Sequence, residues 1–134
     1  VAFAVLPDME QELVTWLKAQ TAVTTQTTAA RIATELNTAT TAGPALQVTS
    51  LGGTQPWPWE AVVEFQLSAW GGTKPQANLL ARTVAAAVYD LVGQAVTGGH
   101  VTGVDIRLAP LWAPDEDTNR PRYRVDAAFI VHPA

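Results

Sequence analysis

Asp115, Glu116, Asp117 and Asn119 form the densest cluster of oxygen-bearing side chains in the sequence. The spacing Asp115-x-Asp117-x-Asn119 matches the opening of a calcium loop, where alternate oxygens converge on one ion. The pattern then breaks: Arg120 stands where the sixth-position glycine must turn the chain, and Pro121 follows it. Asp and Asn are ordinary turn formers, so a solvated turn is the expected role. A small hydrolase using Asp115 or Asp117 would need activating partners that the sequence does not place nearby. His100 and His132 are the only histidines, and their spacing suggests no metal set. Ser50 and Ser68 are the only serines, and neither sits in a Gly-x-Ser-x-Gly elbow. The pairs Gly52-Gly53, Gly71-Gly72 and Gly98-Gly99 lack the spacing and the lysine of a phosphate-binding loop. The reading is therefore a non-enzyme with no cofactor and no metal.

The tryptophans and arginines carry more information. Trp57 and Trp59 lie in Gln55-Pro56-Trp57-Pro58-Trp59, a proline-rich stretch where burial within one subunit is hard to arrange. Tryptophan is enriched at interface hot spots. The alternatives are a loop that folds back over its own core, or indoles that stack on a sugar ring. Arg120, Arg122 and Arg124 cluster at the start of the last strand, where alternation projects Arg122 and Arg124 to one side. They either pair with Glu64 or Asp126 or meet an acidic partner, which arginine suits through bidentate pairing. The candidate interface set is Trp57, Trp59, Asp115, Asp117, Arg120 and Arg122.

The elements that must position these residues follow from periodicity and capping. Asp8 with Gln11 three residues on opens a helix to about Gln20, with Met9, Leu13, Trp16 and Leu17 on one face. Thr21 to Thr28 reads as a connector, Arg31 to Leu36 as a strand and Asn37 to Pro44 as a loop. Leu46 to Leu51 is a short strand stopped by Gly52-Gly53. The Pro-Trp segment is an extended loop, because two prolines remove ladder donors. Glu60 to Trp70 alternates most clearly, with Ala61, Val63, Phe65, Leu67 and Ala69 sharing a face. Thr73 and Gln76 cap a second helix from Lys74 to Thr97, stopped by Gly98-Gly99. A hairpin ends the chain: a strand through Val104, Ile106 and Leu108 to Trp112, the loop Pro114 to Pro121, and a strand from Arg122 to His132. Tyr123, Val125, Ala127, Phe129 and Val131 point inward along that last strand. The order α-β-β-β-α-β-β predicts an α+β fold, a mostly antiparallel sheet flanked by two helices.

Composition bounds the rest. A chain of 134 residues is expected to form a single domain over 1–134. Hydrophobic residues make up 48% and charged residues 15%, well under the roughly 25% charged of ordinary soluble domains. Much of the surface is thus uncharged and open to cover by partners. The net charge of −4 and pI of 4.9 exclude a general nucleic-acid binder, whose affinity comes from a basic excess. The absence of cysteine removes disulfides and thiolate chemistry. Arg82, Asp90 and Gln94 interrupt the most apolar stretch, and Val1 to Leu6 lacks a basic signal-peptide start. The expectation is no membrane segment and a soluble, intracellular origin.

The C-terminal third carries a recognisable pattern. Gly103-Val104, the run Leu108-Ala109-Pro110-Leu111-Trp112-Ala113-Pro114-Asp115-Glu116-Asp117-Thr118, then Arg120-Pro121-Arg122-Tyr123 and a last strand ending Val131-His132-Pro133 resemble the tail terminator proteins of long-tailed actinobacteriophages. Leu51-Gly52-Gly53, the strand end Trp70-Gly71, the Ala/Leu-rich helix after it and the N-terminal helix behind Pro7 are similar to that family too; Thr21 to Thr41 contributes little.

The resemblance implies a subunit of a homo-hexameric ring. It would cap the head-proximal end of the tail tube, stop tube polymerisation and dock the head-tail connector or stopper. The implied partners are other copies of the chain, the major tail tube protein and the connector. DNA only passes through the lumen, and no membrane is involved. The implied place is the virion tail, after assembly in the host cytoplasm. The alternatives are a head-completion or neck connector protein of the same phage and, in a different class, a small carbohydrate-binding module.

Overall fold

A computed structural model describes residues 5–37 and 39–134. Val1 to Ala4, and Thr38 of the expected Asn37–Pro44 loop, lie outside the described residues.

Helix α1 (Met9–Lys18) begins where Asp8 accepts a hydrogen bond from the Gln11 N–H, satisfying one orphan donor of the first turn. The Gln11 side chain does not return the bond; it donates to Thr15 Oγ1 instead. Met9, Leu13, Val14 and Leu17 are its buried face. The expected connector from Thr21 contains a one-turn helix, α2 (Thr21–Thr24), which buries Val23. The expected strand over Arg31 to Leu36 shrinks to β1 (Ile32–Ala33), since a 3₁₀ turn occupies Ala29–Arg31. One buried apolar residue, Ile32, gives that segment little to hold it on the sheet.

Strand β2 (Ala45–Trp57) corrects the sequence reading most. Gly52-Gly53 does not stop it, and the Pro-Trp segment is not a free loop. The strand bulges at Leu51 instead, in a register shift between Ser50 and Gly52, and both glycines stay paired with Glu64 and Val63 of the next strand. Gly53 has φ +149°, and a Cβ there would sit 1.9 Å from the Val62 carbonyl oxygen. Only glycine lets the two strands approach so closely. Pro56 lies in a second shift between Thr54 and Trp57, so its missing N–H breaks no regular ladder bond.

Strand β3 (Glu60–Trp70) follows after the two-residue turn Pro58-Trp59; it buries Ala61, Phe65, Leu67 and Ala69 of the predicted face, and near its end Ser68 and Trp70 of the other face as well. Helix α3 (Lys74–Tyr89) starts where Thr73 Oγ1 accepts from the Gln76 N–H. It ends eight residues before the expected Thr97. Gly93 adopts φ +81° and donates its N–H to the Val101 carbonyl, while the Val101 N–H bonds Gln94 O. Those bonds pull the chain into the short strand β4 (Ala95–Val96), paired with β5 (Gly99–Trp112). His100 is therefore a strand residue. Strand β6 (Arg122–Pro133) closes the chain.

The fold is α+β, with a six-stranded sheet in the order β1-β2-β3-β6-β5-β4. Among the described residues, only the β1–β2 pair is parallel. The expected pair of helices is joined by the short α2. Helices α1 and α3 cover one face of the sheet. Phe65, Leu67, Val125, Ala127, Phe129 and Val131 from the central strands meet Leu13, Leu17, Leu80, Val84 and Val88 there, all buried. Phe65 and Phe129 pack edge to face at 5.9 Å. The Trp16 indole joins the helices by donating to Ala87 O at 3.0 Å. Burying five inward β6 residues anchors both ends of that strand, and with them the loops described next.

Candidate functional site

The six candidate residues do not form one site. Trp57 and Trp59 sit at the β2–β3 turn, next to the start of β3; Asp115, Asp117, Arg120 and Arg122 sit beside its end. Ten strand steps separate Glu60 from Trp70, about 33 Å at 3.3 Å per residue.

At the first end, Trp57 pairs with Glu60 across the Pro58-Trp59 turn. Trp57 and Trp59 are 56% and 58% exposed. Their rings lie within 9° of parallel with centroids 6.0 Å apart. The turn is tied down from β6: His132 Nδ1 lies 3.0 Å from the Trp59 carbonyl oxygen. A carbonyl only accepts, so Nδ1 carries the hydrogen. In the neutral ring Nε2 then accepts from Thr102 Oγ1 at 2.9 Å. His100, opposite His132 in the ladder, stacks on it at 5.0 Å. Sequence reasoning missed this cross-strand pair, because nothing in the spacing of residues 100 and 132 shows that they meet. The exposed stretch extends down β2, since every residue from Ser50 to Trp59 is exposed.

At the second end, Asp115 organises the β5–β6 loop. Its Oδ1 accepts from the Asp117 and Thr118 N–H groups, and its Oδ2 from the Trp70 indole at 3.4 Å. Burial pushes the Asp115 carboxyl upward; the two loop N–H groups, the Trp70 indole and the nearby Arg122 charge together outweigh it and hold the group below its ordinary value. The loop closes through Asn119 N–H to Asp115 O at 2.7 Å, with Asn119 at φ 56°. Thus Asp115 is the turn former that the residue types suggested, while Asp117 and Glu116 remain exposed. Among the described residues, no group of three or more His, Asp or Glu side chains is placed to hold a metal ion.

The arginines there are engaged within the chain. Arg122 Nε donates to Ala113 O at 2.8 Å, and its guanidinium lies 5.6 Å from the Trp70 ring centroid. Arg120 Nη1 donates to Thr41 Oγ1 at 2.9 Å. The Lys74 ammonium sits 4.7 Å from the centroid of the half-exposed Trp112, which leans on Tyr123. Between the two ends, the sheet face away from the helices carries polar pairs. Arg124 makes a bidentate pair with Asp126 at 2.8 and 2.9 Å. Glu64 meets Arg107, not the terminal arginines, at 3.8 Å, and Arg107 also pairs with Asp105.

No family model matches the sequence, and no curated protein matches it. The likeness is structural. The fold is similar to that of a chain in the "Virion of native gene transfer agent (GTA) particle". That chain superposes with a TM-score of 0.66 at 16% identity, over 92% of this chain and 94% of the other. Near-complete coverage of both chains means that sheet and helices are shared as a whole, without a large insertion in either.

Proposed function

We propose that this chain is a structural virion protein of a phage-like particle: a ring-forming tail terminator that caps the head-proximal end of the tail tube, stops its polymerisation and joins it to the head connector. The observation that carries the reading is the end-to-end likeness of fold to a chain of a virion particle. The resemblance of the Leu108 to Tyr123 segment to tail terminators supplies the finer role.

The arrangement of the surface suits it. A cap needs two axial faces, one for the tube and one for the connector, and the sheet presents different chemistry at its two ends. The Trp57–Trp59 end presents two exposed, near-parallel indoles beside the single carboxylate of Glu60. The Asp115–Arg122 end is polar and bears both charges. Apolar anchors supply affinity, and charges fix partner and register. A net charge of −4 per copy suits a lumen through which DNA slides without being held. In this role the chain acts through assembly. A head-completion or neck protein would use the same two ends.

The decisive experiment is negative-stain microscopy of the purified chain, alone and with tube protein, together with rescue of tail joining in a terminator-deficient phage. Six-fold rings on tube ends support the reading, and a strict monomer in the presence of tube protein overturns it. The near-parallel exposed indoles are the one observation that favours a carbohydrate module instead; quenching of Trp57 fluorescence by oligosaccharides, lost in Trp57→Ala, would be its signature.

A further inference from the structure

The helix-covered sheet has two margins, and among the described residues both are largely unpaired. On the β2 side, β1 covers only Leu46 and Gln47, leaving the backbone from Val48 onward without an outer partner. On the other side, β4 covers only Gly99 and His100, and Gly93 and Gln94 take the two groups of Val101. From Gly103 to Trp112 the outer edge of β5 is open. Long open edges are templates for pairing with another chain, and natural proteins guard them with charge. The β2 edge has no such guard: no residue from Val48 to Trp59 is charged.

Three features make the two edges fit each other. First, they lie at the same height on the sheet. Val48 is linked through Leu67 and Val125 to the β5 stretch between Leu108 and Leu111, and Thr54 through Val62 and Ile130 to Gly103. Second, Pro56 and Pro110, which cannot donate, lie outside the stretches Val48–Thr54 and Gly103–Ala109. Third, the polarity is right. The four long strands alternate in direction, so β2 and β5 run opposite ways. A rotation about an axis lying along the strands keeps each direction, and it sets β5 of one copy antiparallel to β2 of the next. Two different surfaces related by rotation make a ring, which leaves no open edge once closed.

We infer that copies of this chain join by sheet extension, with Gly103–Ala109 of β5 pairing antiparallel with Val48–Thr54 of the next copy's β2. The inference rests on the ring reading given above and adds the surface that closes the ring. A shared height makes the joint planar, so copies return to the first one and do not climb into a helical filament.

Cysteine cross-linking tests this cleanly, because the sequence contains no cysteine. Thr49 and Leu108 sit at matching height. Within one chain they are three strand spacings apart, about 14 Å, beyond the roughly 7 Å Cα limit of a disulfide. Thr49→Cys combined with Leu108→Cys, and with Asp105→Cys for a two-residue offset, can therefore bridge only between copies. Oxidation should give a non-reducing ladder ending at the full ring, with each single variant staying monomeric on the gel and circular dichroism unchanged. Normal rings by microscopy with no ladder from either pair would overturn the edge joint and leave the ring reading standing. Neither rings nor ladder, from variants with native circular dichroism, would overturn both.

Discussion

The Trp70 indole N–H donates to the Asp115 carboxylate, and that bond ties the buried end of β3 to the β5–β6 loop. One carboxylate thus accepts from the sheet and from two loop N–H groups. We expect Asp115→Ala to destabilise the fold by about 2 kcal/mol, since donors to an ionised acceptor lose their partner. The Asp115 pKa is lowered on folding, so its contribution is full above its unfolded value near 3.8 and is lost as pH falls through the folded one. Urea melts at pH 7 and pH 3 check this: the gap between wild type and variant should narrow at the lower pH.

Gly53→Ala should cost about 2 kcal/mol or more, from an unfavourable φ and a Cβ driven against Val62 O. The outer half of β2 should detach first. Amide exchange at Val62 in the variant is the readout, with urea denaturation for the total.

Trp57→Ala should leave the fold within about 0.5 kcal/mol of wild type, because more than half of the side chain already faces water. The same substitution should reduce ring formation or tube capping. Circular dichroism with ring counting by microscopy separates the two effects, and normal capping by the variant would remove Trp57 from the assembly surface.

Arg122→Glu should unfold more readily than Trp57→Ala, by about 1–3 kcal/mol, because it removes a hydrogen bond to Ala113 O and sets a carboxylate beside Asp115. The comparison is a pair of urea melts. A fully stable Arg122→Glu that fails to join tails would instead make Arg122 a contact residue.

Duplex DNA should not be retarded by the protein at physiological salt, because a net charge of −4 offers no basic excess. A gel-shift titration in about 150 mM salt is the measurement, and a tight shift would reveal a basic stripe masked by the overall acidity.

Much of the architecture was legible in the residues. The alternation of Glu60 to Trp70 and of Tyr123 to Val131 marks the face that meets the helices, since a one-residue slip would expose it, although Ser68, Trp70 and Ala128 on the opposite face are buried as well. Asp8 and Thr73 marked helix starts, since an orphan N–H needs a local acceptor. The errors share a cause. Gly-Gly and Pro-Trp-Pro look like breaks when read locally, yet β2 passes through both, because β3 keeps pairing with it on either side of a bulge at Leu51, opposite Phe65 and Glu64, and of a second shift that takes up Pro56. Apolar spacing that continues to Leu91 and Ala95 predicts a longer helix than α3, whereas Val101 captures the backbone at Gly93 and Gln94.

The apolar faces, the helix caps and the turn-forming role of Asp115 are legible in the residues alone, because each depends on neighbours within a few positions. Folding in three dimensions sets the rest: Trp59 held by His132, Glu64 against Arg107, the two candidate groups at opposite ends of one strand, and, among the described residues, two sheet margins open at one height. Those are relations between residues brought together by strand pairing, and pairing is chosen by burial of the whole sheet against α1 and α3, which no local pattern encodes.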